Sequence, residues 1–181
     1  ADSLSAIKKI VFEDKMISKA QLAELLITDF EENERLRQLL MNRPPKYGND
    51  EDYVDLLARK AALIYCDEVK KYKNVRKGFF QPGLYPVSSH VALGEVVGAM
   101  PDGRKSGEPL ADGVSPVQGK DLKGPTSVMR SVCKLDHISA SNGTLLNVKL
   151  HPNAIKDEGC LLKFIDLNRS FIDMGGWHVQ Y

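Results

Sequence analysis

The chain is poor in the features that mark secreted, membrane or nucleic-acid-binding proteins. Its 181 residues include only three cysteines, Cys66, Cys133 and Cys160, whose scattered positions form neither a disulfide framework nor a Cys-x-x-Cys metal site. No run approaches the roughly 20 apolar residues of a membrane span, and residues 1–4 do not begin a signal peptide. A formal net charge of +1 argues against a strongly basic nucleic-acid surface. We expect a cytoplasmic protein with reduced thiols, no membrane contact and no nucleic-acid partner.

Motifs of common catalytic centres are also absent. The sequence has no Gly-x-Ser-x-Gly elbow, no phosphate-binding loop and no dinucleotide fingerprint. The four histidines, His90, His137, His151 and His178, are not spaced as metal ligands on a helix, and a structural role is expected for each. Cys133 stands between Val132 and Lys134, which predicts a buried, unreactive thiol. The residues alone therefore assign no catalytic group and no metal site.

Residues 1–77 have helical periodicity. The pattern predicts helices capped by Asp2 or Ser3, by Ser18, and by Asn49 or Asp50, and a further helix from Glu34 to Met41. Ser18 and Gln21 have the spacing of a capping box. The last of these helices is expected to reach about Tyr72 and to bury one stripe, formed by Val54, Leu57, Ala61, Ile64 and Tyr65.

Residues 78–125 differ sharply in composition, since they hold 9 of the 14 glycines and 6 of the 9 prolines. Alternation of Val87, Ser89 and Val91 with their neighbours predicts a strand over Tyr85–Leu93. The stretch from Ser106 to Pro125 is predicted to be irregular. So long an irregular stretch is usually functional or wrapped around a larger fold.

The last third returns to mixed structure. The apolar pattern predicts a strand over 143–150 and a helix over 158–174 that ends at Gly175-Gly176. It also predicts a strand that begins at Trp177. The sequence stops within that strand. Because few complete domains end on an unpaired apolar strand, we expect the chain to be a fragment.

Five motifs, in order along the chain, resemble the C-terminal part of glycyl radical enzymes, the pyruvate formate-lyase superfamily. They are Pro82-Gly83-Leu84-Tyr85-Pro86-Val87-Ser88, Pro101-Asp102-Gly103-Arg104-Lys105, Glu108-Pro109-Leu110-Ala111-Asp112-Gly113-Val114-Ser115-Pro116, Lys134-Leu135-Asp136-His137 followed by Ala140-Ser141-Asn142-Gly143-Thr144-Leu145-Leu146-Asn147, and Gly175-Gly176-Trp177-His178-Val179-Gln180. The resemblance extends over essentially the whole chain.

The resemblance implies an α/β fold, namely part of a ten-stranded α/β barrel of two half-barrels with outer helices. Residues 1–77 would be a helical segment of the barrel-forming domain, residues 78–115 a late barrel strand with Gly/Pro-rich loops, and residues 116–181 the start of the glycine-radical domain. The family's catalytic cysteine lies in a Gly-Cys-Val-Glu loop and its radical glycine in an Arg-Val-x-Gly-Tyr loop. Neither loop is present in this sequence, so no catalytic residue is carried over.

The version of the motif at residues 141–147 is similar to the dehydratase and amine-lyase side of the family, which includes glycerol and propanediol dehydratases and choline trimethylamine-lyase. In the diol dehydratases, a tyrosine on a late barrel strand and an apolar residue two positions later face the substrate. Tyr85 and Val87 match those positions, and residues i and i+2 of a strand share one face. A packing role in the core is the alternative for Tyr85.

The expected function is that of a glycyl radical dehydratase or lyase, which eliminates water or an amine from a small hydroxylated substrate by thiyl-radical hydrogen abstraction. The resemblance implies no cofactor bound by this chain, a glycyl radical outside it, an activase with an iron–sulfur cluster and S-adenosylmethionine, and a homodimer when intact. Two alternatives remain open. One is a non-catalytic spare-part or interaction module, and the other is formate C-acetyltransferase (pyruvate formate-lyase) activity.

Overall fold

The N-terminal part of the chain consists of short helical segments around one apolar cluster. The computed structural model describes residues 1–181. Helix α1 (Asp2–Ala6) continues into a π-helical segment (Ile7–Glu13) and is followed by α2 (Lys19–Ile27) and α3 (Glu34–Asn42). Their buried apolar cluster comprises Ala6, Ile10, Val11, Ile17, Leu22, Leu25, Phe30 and Leu40. These helices form because each places apolar residues on one stripe.

The capping interactions of these helices were predicted with mixed success. The capping box of α2 is confirmed, since Ser18 Oγ accepts from Gln21 N and the Gln21 side chain accepts from Ser18 N. The prediction that Asp2 or Ser3 caps α1 is wrong. Asp2 is the first residue inside the helix, and its buried carboxylate instead accepts a hydrogen bond from the backbone N–H of Tyr47 at 2.8 Å.

Helix α4 (Asp52–Val69) begins later than predicted and buries a narrower stripe. Asn49 does not cap it, because its Oδ1 accepts from the backbone N–H of Lys123 at 3.1 Å, while its amide donates to the carbonyl of Lys120 at 2.7 Å. Val54 is buried as expected, but the exposed fractions of Ile64 and Tyr65 are 62% and 45%. The predicted stripe is therefore wrong in its C-terminal half.

The predicted strand over Tyr85–Leu93 is wrong. Its second half forms helix α5 (Ser89–Val96), and its first half is a turn in which Val87 has a φ of +56°. Pro86 has no N–H to donate to a strand partner, so the chain leaves its extended path directly after Tyr85. The irregular structure expected over 106–124 is present.

The C-terminal third contains two helices and a small parallel sheet. Helix α6 (Pro125–Cys133) was not predicted, whereas α7 (Glu158–Asp173) closely matches its prediction. Strand β1 (Leu146–Asn147) is much shorter than the strand predicted over 143–150, and it pairs in parallel with β2 (Val179–Gln180). A short 3₁₀ turn over Pro152–Ile155 precedes α7.

A second apolar cluster joins α4, α6 and α7 to the sheet. Its buried members are Tyr47, Val54, Val114, Val128, Met129, Val132, Leu135, Leu146 and Phe171. The chain is thus helical with a small sheet, which corresponds to part of an α/β fold. None of its helices is both long enough and apolar enough to traverse a bilayer.

Candidate functional site

Four chain segments meet beside the small sheet and fix the position of the predicted site. Leu84 and Thr144 form a parallel bridge, in which the N–H of Leu84 donates to the carbonyl of Gly143 at 2.9 Å. The N–H of Val114 donates to the carbonyl of Leu145 at 3.1 Å on the other side. Strand β1 then pairs with β2. Residues far apart in sequence are therefore held next to one another by backbone hydrogen bonds.

Tyr85 follows this bridge immediately, and its ring is held on several sides. Its hydroxyl oxygen lies 2.6 Å from Nδ2 of Asn142, which donates to it. A Cβ atom on Gly83 would come within 2.7 Å of the Tyr85 ring, and one on Gly143 would lie 3.9 Å from it. Tyr85 is 40% exposed, so part of a side chain that combines an apolar ring with a hydroxyl remains accessible.

Val87 does not share a strand face with Tyr85 in this structure. Its left-handed backbone conformation is rare for a β-branched residue, and its side chain is 72% exposed. The prediction that Tyr85 and Val87 lie on the same face of a strand is therefore wrong. Both side chains nevertheless stand exposed on the same short turn, two residues apart.

A polar cluster that sequence reasoning missed lines a cavity of about 740 Å³ near the sheet. The side-chain amide of Asn147 donates to Asp112, and Nδ1 of His90 lies 3.7 Å from the other carboxylate oxygen of Asp112. Ser115 Oγ accepts from the backbone N–H of Asn147 at 2.9 Å. Asp112 and Asn147 lie in two of the five motifs, which was the available signal. The cluster joins the loop around Asp112 to β1 by hydrogen bonds, and His90 of α5 lies beside it.

His137 has the structural role expected of it. Its Nε2 lies 2.9 Å from the carbonyl of Val132 and its Nδ1 lies 2.8 Å from Oγ1 of Thr144. Because a carbonyl only accepts, Nε2 carries the proton and Nδ1 accepts from the threonine hydroxyl. Burial lowers the pKa of His137, which keeps the ring neutral.

Cys66 and Cys133 have the properties of packing residues. Burial raises the pKa of the Cys133 thiol to about 11 and also raises the pKa of Cys66. Thiols with raised pKa values are poor nucleophiles, so neither has the environment of a reactive cysteine. No group of three or more His, Cys, Asp or Glu side chains is arranged to hold a metal ion.

Comparison with known proteins identifies two family models that match nearly the whole chain. The pyruvate formate lyase-like model matches residues 1–94, and the glycine radical model matches residues 110–181. The chain is 44% identical to a probable dehydratase, YbiW, of Escherichia coli and 38% identical to trans-4-hydroxy-L-proline dehydratase of Clostridioides difficile. Each match covers 99% of this chain and 23% of the relative.

A solved structure has the same fold over the same extent. The glycerol-bound form of the B12-independent glycerol dehydratase from Clostridium butyricum superposes with a TM-score of 0.96 at 55% identity, and the match covers 99% of this chain and 23% of that one. The chain therefore spans less than a quarter of the length of the relatives that it matches. Because the first family model alone covers more than half of the residues, this chain belongs to the pyruvate formate lyase-like family of glycyl radical enzymes.

Proposed function

We propose that this chain is the part of a longer glycyl radical dehydratase or lyase that lies between its cysteine loop and its radical loop. The observation that carries the proposal is the 55% identity and 0.96 TM-score to a glycerol dehydratase over 99% of the chain. The longer enzyme would eliminate water or an amine from a small hydroxylated substrate. In the longer enzyme, the glycyl radical and the cysteine it oxidises would supply the hydrogen-abstracting chemistry.

This chain would contribute part of the wall of the substrate pocket. We infer that Tyr85 and Val87 face the substrate, with the phenol hydrogen-bonded to a substrate oxygen and Val87 in apolar contact. A tyrosine hydroxyl stays neutral near pH 7 and can both donate and accept. The exposure of both side chains, 40% for Tyr85 and 72% for Val87, supports the assignment. Enclosing the substrate would also exclude water, which protects radical intermediates from side reactions.

The surroundings of the chain follow from the same proposal. Residues 1–77 would belong to the barrel-forming domain, 78–115 to a late barrel segment and its loops, and 116–181 to the beginning of the glycine-radical domain. The remaining strands would complete a ten-stranded barrel of two half-barrels. We further propose a homodimer, activation by an S-adenosylmethionine enzyme with an iron–sulfur cluster, and a cytoplasmic location in which the three free thiols stay reduced.

The test is anaerobic activation of the longer enzyme followed by a substrate panel. Electron paramagnetic resonance should show a glycyl radical only after treatment with the activase. Activated enzyme should then release water or an amine from one of glycerol, propane-1,2-diol, trans-4-hydroxyproline or choline, and unactivated enzyme should not. Formate release from pyruvate and coenzyme A, with no elimination from the other compounds, would replace the proposal by the acetyltransferase alternative. Failure to form any radical would contradict both.

A further inference from the structure

The amide of Asn142 determines what the hydroxyl of Tyr85 can do. Nδ2 of an amide only donates, so at a separation of 2.6 Å the phenol oxygen is the acceptor in this hydrogen bond. The proton of the hydroxyl is then free, and it has no acceptor elsewhere in the chain. The Tyr85 hydroxyl is therefore available as a hydrogen-bond donor toward the exposed side.

The positions of both residues are fixed by the backbone rather than by this contact alone. The N–H of Asn142 donates to the carbonyl of Pro82 at 2.8 Å, and the next residue, Gly143, accepts from Leu84 at 2.9 Å. The phenol ring lies so close to Gly83 that no side chain would fit there. One parallel bridge thus sets the backbone positions of both residues, and the contact at 2.6 Å aligns the amide of Asn142 with the hydroxyl of Tyr85, which is the arrangement expected of a prepared binding group.

A second tyrosine–asparagine pair in the chain has the opposite polarity. The hydroxyl of Tyr181 lies 2.9 Å from Oδ1 of Asn168, an atom that only accepts, so this hydroxyl donates within the chain. The Nδ2 group of Asn168 donates to the carbonyl of Phe164 at 2.8 Å, which fixes its amide in that orientation. A tyrosine hydroxyl next to an asparagine therefore does not always keep its proton free. In this chain the arrangement distinguishes the Tyr85–Asn142 pair from the Tyr181–Asn168 pair.

We propose that Asn142 is a positioning residue that makes Tyr85 a hydrogen-bond donor to a hydroxyl oxygen of the substrate. This inference rests on the proposed placement of Tyr85 in the pocket. Accepting one hydrogen bond also polarises the phenol and strengthens the bond that it donates. Asn142 acts through Tyr85 and needs no contact with the substrate.

Asn142→Asp tests the proposal in the longer, activated enzyme, because a carboxylate at this position accepts instead of donating. The Tyr85 proton would then point at residue 142 and be lost to the substrate. We expect kcat/KM, normalised to radical content, to fall by up to roughly tenfold, mainly through KM, as a single hydrogen bond predicts. In Asn142→Ala the normalised kcat/KM should fall less, since the hydroxyl of Tyr85 stays free to rotate and donate.

The matched control is Asn168→Asp, which adds the same charge but keeps the acceptor for Tyr181. Its normalised kcat/KM should equal that of the wild type. Asn142→Asp should have no further effect in a Tyr85→Phe background, since the hydroxyl through which it acts is gone. Radical content measured in every variant separates a pocket effect from misfolding.

The failures of the two proposals are distinguishable. If Tyr85→Phe leaves normalised kinetics unchanged, Tyr85 is not in the pocket and the site assignment falls together with this inference. If Tyr85→Phe lowers kcat/KM but Asn142→Asp does not, or if the Asn142→Asp effect persists undiminished in the Tyr85→Phe background, only the role of Asn142 is overturned.

Discussion

The ammonium group of Lys134 lies 2.8 Å from Oδ2 of Asp55, a carboxylate whose side chain is fully buried. The same ammonium group contacts Asp50 at 2.8 Å and Asp52 at 2.7 Å. Partial burial opposes the charge of Lys134, but hydrogen bonds to the three carboxylates outweigh it and raise its pKa. Burial also opposes the charge of Asp55 and so raises the pKa of its carboxyl group. The hydrogen bonds that Asp55 accepts from Lys134 and Ser131 offset this rise only in part. One lysine thus joins the start of α4 to the end of α6.

Lys134→Met is expected to destabilise the enzyme strongly, because it leaves Asp55 buried without a cation. Removing one partner of a buried pair costs about 3–5 kcal/mol. Asp52→Asn, which removes a carboxylate whose side chain is 74% exposed, should cost less than about 1 kcal/mol. The midpoints of thermal unfolding of the two variants check this. Equal midpoints would show that the pair with Asp55 contributes nothing.

Stability should decrease as the pH falls below about 6.5, in part because of His137. Burial lowers the pKa of this ring below its usual 6.5, so the unfolded state takes up a proton first. The stabilising contribution is fully present above pH 6.5 and is lost as the pH falls through the lowered pKa. His137→Gln should flatten this part of the stability profile, while replacement of the exposed His151 by glutamine is the control. An unchanged slope in His137→Gln would contradict the assignment.

Gly113→Ala is expected to be more destabilising than Gly119→Ala. Both glycines have positive φ, at +57° and +75°, and so both substitutions carry the cost of a left-handed residue. At Gly113 the new Cβ would also lie 2.5 Å from the carbonyl oxygen of Leu145, whereas nothing lies within 4 Å at Gly119. Overpacking should add about 1–3 kcal/mol at Gly113 alone. Thermal midpoints that are the same for both variants would show that the close approach is relieved without cost.

Cys133 is expected to resist alkylation at pH 8 in the folded enzyme. With a pKa of about 11, roughly one thiol in a thousand is ionised at that pH, and only the thiolate reacts. Mass spectrometry of peptides after iodoacetamide treatment, with and without denaturant, measures the protection. Rapid labelling of Cys133 in the native enzyme would contradict its assignment as a packing residue.

Residues 1–181 expressed alone should associate, because apolar side chains of α7 and α4 have no cover within the chain. Ile172 and Ile64 are 65% and 62% exposed, and apolar patches of this kind favour aggregation. Light scattering after size-exclusion chromatography should show oligomers. The oligomeric fraction should be smaller when both isoleucines are replaced by glutamate. A monomer with well-dispersed NMR chemical shifts and cooperative thermal unfolding would contradict the assignment to a longer enzyme.

Local sequence signals predicted most of the helices. They gave wrong predictions where contacts between residues distant in sequence determine the local structure. The Ser18 capping box and the extent of α7 depend on local signals, and both were predicted correctly. Helix α6 was missed although Pro125 occupies its first turn, a favoured position. The alternation around Val87 resembled a strand, but Pro86 and the positive φ of Val87 produce a turn instead.

The sequence proposed the residues of the candidate site but not their geometry. Tyr85 was assigned from its motif, whereas its contact with Asn142 joins residues 57 positions apart and depends on the Leu84–Thr144 bridge. No local pattern encodes that pairing. Similarly, Ile64 on α4 is 62% exposed, and a stripe of apolar residues alone does not distinguish such a position from one in the core.

The central claim, that Tyr85 faces the substrate of a glycyl radical dehydratase, is tested most directly by steady-state kinetics of Tyr85→Phe. The substitution removes one hydroxyl and almost no volume, and radical content should stay near that of the wild type. We expect a fall in kcat/KM of up to roughly tenfold, normalised to radical content by electron paramagnetic resonance. Unchanged kcat and KM for every hydroxylated and amine substrate that the enzyme turns over would contradict it.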